Sequence, residues 1–152
     1  MIPDGPPEAR RAFIEALYAA YAAGDPGPTL ASMADDIDFE YVAPTSVFAF
    51  GGRRVGKTGV AEATAAIAAV FSIDYLHVQS VMLDGDDAVV RMKAGFTTRA
   101  TGAKVEADLV DVATIKDGKI VRLQEFFDTE KAAVQAFGQS IVLGGPVAGP
   151  AA

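Results

Sequence analysis

A chain of 152 residues with a formal net charge of -7 and no cysteine is long enough for one compact domain and too short for two ordinary ones. Its acidic balance speaks against nucleic acid or a membrane as partner, since anionic surfaces call for a basic patch to neutralise phosphate. The missing cysteines remove disulfides, thiolate nucleophiles and cysteine-type zinc sites, while 51% hydrophobic and 22% charged residues make a globular composition.

The opening residues, MIPDGPPEAR, lack a charged leader followed by an apolar stretch, and no apolar run reaches the length of a membrane span. The expectation is a soluble cytoplasmic protein with a short tail over 1–7. From 8 to 23 the sequence places Phe13, Leu17 and Tyr21 four apart, flanked by Ile14 and Tyr18. That spacing predicts an amphipathic helix, stopped by Gly24-Asp25-Pro26-Gly27. A second short helix is predicted over 29–34, a strand over 37–42 ending before Pro44, and a third helix over 59–71 with Val60, Ala63, Ile67 and Phe71 on one face. From Ser72 onward, strand-like runs are separated by the short turns Asp84-Gly85-Asp86, Ala100-Thr101-Gly102 and Asp117-Gly118, which predict consecutive antiparallel hairpins. Helices first and a sheet after give an α+β domain over 8–138, with helices covering one sheet face. The glycine-, proline- and alanine-rich end, 139–152, is expected to be a flexible tail.

Residues 51–58 read GGRRVGKT and satisfy the phosphate-loop pattern G-x-x-x-x-G-K-S/T. The pattern works only between a strand and a helix of an open parallel sheet, and parallel strands need long crossovers. The second half of the chain has no room for them. Nucleotide binding is therefore disfavoured, and the stretch reads as a glycine turn before a helix, its arginines left free to steer an anionic ligand to a pocket mouth.

The clearest chemical signal is the run from Val105 to Ile115. Every second residue gives Val105, Ala107, Leu109, Asp111, Ala113 and Ile115, so one acid interrupts an apolar face. Burial there favours the neutral carboxyl and raises its pKa; the alternatives are an outward face or a buried partner. The preceding strand supports the assignment, since Ala88, Val90, Met92, Ala94 and Phe96 alternate with more polar residues. Asp128, after Phe126 and Phe127, is a second candidate acid or the N-cap of a helix over 130–137. His77 is the single histidine and a candidate proton shuttle, although neither parity around it is cleanly apolar. No spacing suggests a metal site or nucleophilic catalysis. Leu17, Tyr18, Tyr21, Tyr41, Phe48, Met92, Phe96 and Phe126 are candidate pocket residues.

The helix ending AAGD at Asp25, the phrase MADDIDFE ending at Glu40, the glycines and lysine before the third helix, and DVATIKDGKIVRLQEFFD ending at Asp128 are the carriers of a likeness. Together they resemble the SnoaL-like and ketosteroid-isomerase-like branch of the nuclear transport factor two-like superfamily. The resemblance implies a cone: a strongly curved, mostly antiparallel sheet with three helices on its concave side, enclosing an apolar pocket. It implies that Asp111 falls where ketosteroid isomerases carry the protonated aspartic acid of their oxyanion hole. Their catalytic base would fall near Tyr41 and their oxyanion tyrosine near Leu17, with Tyr18 and Tyr21 on different faces. Asp128 resembles the last-strand acid of polyketide cyclases and limonene-type epoxide hydrolases, while Arg91-Met92-Lys93 lacks the second carboxylate that those hydrolases use.

The resulting expectation is a domain for a small apolar or polycyclic metabolite, an isomerase, cyclase or dehydratase working next to a carbonyl without metal or cofactor. In it Asp128 and His77 move a proton and Asp111 donates a hydrogen bond to a developing enolate. The competing reading is a non-catalytic ligand-binding or homodimerisation module. A homodimer is expected in either case.

Overall fold

The structure, a computed structural model, describes residues 1–147 and Gly149. Helix α1 (Pro7–Ala22) starts on a proline, whose missing N–H is one that a first turn leaves unbonded anyway. Gly24, at a φ of 87°, turns the chain out of it. Then come α2 (Gly27–Ser32), β1 (Met33–Tyr41), β2 (Gly52–Val55) and α3 (Gly56–Val70). The second half is β3 (Phe71–Asp84), β4 (Asp87–Thr98), β5 (Lys104–Lys116) and β6 (Lys119–Phe127), followed by α4 (Thr129–Phe137) and a small pairing of β7 (Gln139–Ser140) with β8 (Gly145–Pro146).

Six strands form one open sheet in the order β2-β1-β6-β5-β4-β3. All neighbours are antiparallel except β1 and β6, which run parallel. Helix α1 lies against β3 and α3 against β1, so the helices cover one face of a curved sheet. This is the expected α+β cone. Its boundaries differ locally: β1 begins at Met33, absorbing part of the predicted second helix, and α3 begins at Gly56 rather than 59. The tails differ too. Ile2 is 2% exposed and donates its N–H to the Gly118 carbonyl at 2.9 Å, so the first residues are anchored. At the other end the Glu130 carboxylate accepts from Ser140 Oγ at 2.5 Å and from the Ile141 N–H at 2.7 Å, which pins the turn between β7 and β8. Of the expected C-terminal tail, residues 148 and 150–152 lie outside the described residues.

Strand β4 keeps strict alternation, with Ala88, Val90, Met92 and Ala94 each about 1% exposed. Strand β5 does the same on its Val105 to Ile115 face. Strand β3 does not. Its pairing with β4 slips between Ile73 and Tyr75 and again between Val78 and Ser80. Each extra residue, Asp74 and Gln79, is a bulge that inverts which side chains face the core. The inward set is therefore Phe71 and Ile73, then Leu76 and Val78, then Val81 and Leu83. Strand β6 carries one such bulge at Val121, because Ile115 pairs with Ile120 whereas Thr114 pairs with Arg122.

Candidate active site

Asp111 sits at the centre of β5, 3% exposed, with Val90 opposite it on β4 and Glu125 opposite it on β6. Directly paired residues share a sheet face, so two carboxyls look into the same interior. From above, α1 lowers Tyr18 onto the pair: its hydroxyl donates to Asp111 Oδ2 at 2.5 Å. Helical spacing also places Ile14, Leu17 and Tyr21 on the wall facing the sheet. Asp111 Oδ1 is buried and has no hydrogen-bond partner.

Burial pushes the Asp111 carboxyl up to about 6, against the opposing pull of the Tyr18 hydroxyl and of a proton shared with Glu125. Glu125 is raised well above its ordinary range, first by burial and then by the neighbouring Asp111 charge. Two neighbouring carboxyls in such surroundings cannot both ionise at low cost, so both are held above the ordinary carboxylate range and the pair tends to keep one proton. Burial likewise raises the hydroxyls of Tyr18, Tyr21 and Tyr41, with the carboxyls adding to the shift. They remain neutral donors.

Two adjoining compartments share part of their walls. The first, of about 90 Å³, is walled mainly by aliphatic side chains such as Ile14, Leu17, Met33, Val90 and Leu123, and contains Tyr18, Asp111 and Glu125. The second, of about 70 Å³, combines the rings of Phe48, Phe50, Phe71, Phe96 and Phe127 with aliphatic side chains such as Ile67, Ile73, Val105 and Leu109. Tyr21, Tyr41, Leu76 and Glu125 border both.

Among the candidate pocket residues, Leu17, Tyr18, Tyr21 and Tyr41 line the first compartment or the border, and Phe48 and Phe96 the second. Met92 is buried but lies outside both walls. Phe126 is 40% exposed and faces outward, because the bulge at Val121 turns Leu123, Glu125 and Phe127 inward instead. Asp128 is exposed and caps α4, accepting from the Lys131 N–H at 2.9 Å. His77 is exposed beside Lys93 on the outer face and stacks on Tyr75 at 4.9 Å, since the bulges on either side of it set its direction. The last-strand acid at the cavity is thus Glu125, three positions before Asp128. Sequence reasoning missed it because an unbroken pairing from the Asp117-Gly118 turn would set Gln124 opposite Asp111. Tyr18, assigned to a different face, is the hydroxyl that reaches Asp111.

The basic cluster of the phosphate-loop pattern is occupied by protein. Arg53 forms a two-pronged pair with Asp38, at 2.6 and 3.1 Å, and Lys57 meets Asp35 at 3.0 Å. Arg54 donates to the carbonyls of Phe50 at 2.7 Å, Gly51 at 2.9 Å and Ala49 at 3.1 Å. Arg54 braces the loop before β2 and Arg53 ties β2 to β1, so neither stands free to steer a ligand. Among the described residues no group of acids and histidine could hold a metal ion, and no helix is long and apolar enough to cross a membrane.

The SnoaL-like domain family matches residues 14–123, the greater part of the chain. The chain belongs to that family. Its SnoaL-like fold is shared with a provisionally named isomerase of Rhodopseudomonas palustris, 28% identical with a TM-score of 0.72 over 84% of this chain and 94% of the other. TerC, crystallised with polyporic acid, is 27% identical with a TM-score of 0.68 over 78% and 90%. A nuclear transport factor two-like protein of unknown function from Burkholderia pseudomallei is 20% identical with a TM-score of 0.75 over 83% and 95%, a likeness of fold. No curated protein matches the sequence.

Proposed function

We propose that this SnoaL-like domain is an acid/base enzyme acting next to the carbonyl of a small apolar metabolite, of the isomerase, cyclase or dehydratase type. The observation that carries the reading is the pair of Asp111, buried, and Glu125, half-buried, set in register at a cavity wall with the Tyr18 hydroxyl on Asp111. A carboxylate held in apolar surroundings is a base for a carbon-bound proton. Glu125, holding the shared proton, and the neighbouring tyrosine hydroxyls are the donors for the oxygen on which charge develops. Asp111 therefore serves as acceptor in the resting pair, with Glu125 in the donor role. His77 and Asp128, outside the cavity walls, take no part.

Exchange of solvent deuterium into the α-carbon of apolar ketones, followed by NMR, tests this. Asp111→Asn and Glu125→Gln are each expected to slow exchange by roughly 100-fold or more, the usual worth of a positioned acid or base. Unchanged exchange in both variants would remove the acid/base role.

A homodimer belongs to the same proposal, and it is also what the non-catalytic reading would need. The outer sheet face carries Met82, Val89 and Val112 in one row of paired residues, with Val110 and Phe126 in the next. Such a stripe suits a second copy of the chain.

A further inference from the structure

We infer that the second compartment is an aryl subsite, so that the ligand is a neutral molecule with an aromatic ring at one end, an aliphatic or alicyclic part at the other and its reacting oxygen between them. The inference rests on the acid/base reading for the position of that oxygen and extends it to the ligand's two ends.

The compartments differ in chemistry. In the second, Phe48 lies 5.3 Å from Phe50 and 5.6 Å from Phe127, and Phe71 lies 5.9 Å from Phe96 and 6.4 Å from Phe50. These centroid spacings are those at which rings attract through their quadrupoles; Phe48–Phe127 and Phe50–Phe71 meet edge to face and the other two pairs are tilted. A sixth ring entering the basket would extend the same array, which a saturated ring cannot do. The first compartment is chiefly aliphatic, its rings being Phe39 and the hydroxyl-bearing Tyr18, Tyr21 and Tyr41 rather than a basket of phenylalanines. The polar groups that border both spaces are Tyr21, Tyr41 and Glu125, so a ligand spanning the two presents its middle to them.

Charge narrows the class further. Neither wall includes a lysine, arginine or histidine, so a carboxylate or phosphate would enter without a counter-ion and beside the Asp111 and Glu125 acids. A cationic amine is the charged ligand the site could tolerate, through the acids and the ring faces. It is the competitor to be measured.

Calorimetric titration with 1-phenylheptan-3-one, 1-cyclohexylheptan-3-one and 1-phenylheptan-3-amine decides the matter. The phenyl ketone is expected to bind roughly threefold to tenfold tighter than the cyclohexyl ketone, the factor an aromatic pair supplies. Burial of apolar area alone predicts the opposite order, since the saturated ring is the more hydrophobic. Phe96→Leu and Phe127→Leu, both at half-buried positions, are expected to bring the ratio close to one. Asp111→Asn keeps the ratio, because the basket is untouched, while losing α-exchange. An aryl preference that depends on the phenylalanines in a wild-type protein without α-exchange would sink the acid/base chemistry and uphold the subsite. Equal or inverted ketone affinities, a preference that survives both leucine variants, no saturable ketone binding, or an amine that binds tighter than the phenyl ketone would each overturn the aryl subsite for neutral ligands.

Discussion

Asp111 and Glu125 make the stability of the protein depend on pH in a direction opposite to that of its surface acids. Where a folded carboxyl has a raised pKa, the folded state holds more protons than the unfolded one, so stability falls as pH rises from the ordinary carboxylate range through the folded value. For Asp111 that window runs from 3.8 to about 6, and the loss is on the order of 3 kcal/mol at 1.36 kcal/mol per unit. Glu125 extends the fall to higher pH. Asp38, Asp74 and Glu130 are lowered by their hydrogen bonds to Arg53, Thr97 and Ser140, so their contributions are present above the ordinary range and are lost on acidification. Thermal melts across pH 4.5 to 8 are thus expected to show a falling melting temperature in the wild type and a flatter profile in Asp111→Asn, which still offers Tyr18 an acceptor. A wild-type profile that rises over this range would contradict the raised acids.

Arg54 shows how a loop becomes part of a cavity. Its guanidinium holds the carbonyls of Ala49, Phe50 and Gly51, and the same loop delivers Phe48 and Phe50, 2% and 6% exposed, to the aromatic compartment. Removing three charge-assisted hydrogen bonds frees that segment. Arg54→Ala is expected to destabilise the fold by about 2–3 kcal/mol in denaturant titration; a change under about 0.5 kcal/mol, the size of an ordinary surface substitution, would show that the loop holds itself. ATP with Mg²⁺ should leave the melting temperature unchanged, as the motif's bases already have partners. The same contrast between element and motif explains what was legible beforehand. β4 and β5 were readable because their alternation runs unbroken, and with them the inward Asp111. β3 and β6 were not, since the bulges at Asp74, Gln79 and Val121 invert the parity partway along. A bulge leaves little trace in residue type, so His77, Phe126, Asp128 and Glu125 could not be placed from the alternation alone. The motif match misled for a related reason: it specifies residues and says nothing of the sheet around them.

The whole molecule is an open sheet whose two faces do different work. The concave face, closed over by α1, α2 and α3, forms the cavity, while the convex face is left to solvent or to a partner. If the proposed homodimer uses the stripe of Met82, Val89, Val110, Val112 and Phe126, light scattering will give twice the 15.8 kDa chain mass. Phe126→Asp would then give the single-chain mass, without a large loss of melting temperature since Phe126 is 40% exposed. A monomeric wild type would rule the dimer out. The single extra residue at Val121 reaches furthest of all. It decides whether an amide or a carboxylic acid confronts Asp111, for Gln124 and Glu125 are adjacent in the chain and only strand phase chooses between them. The site's reactivity is thus encoded partly in a length, and a one-residue deletion there would exchange the proton donor without substituting any side chain.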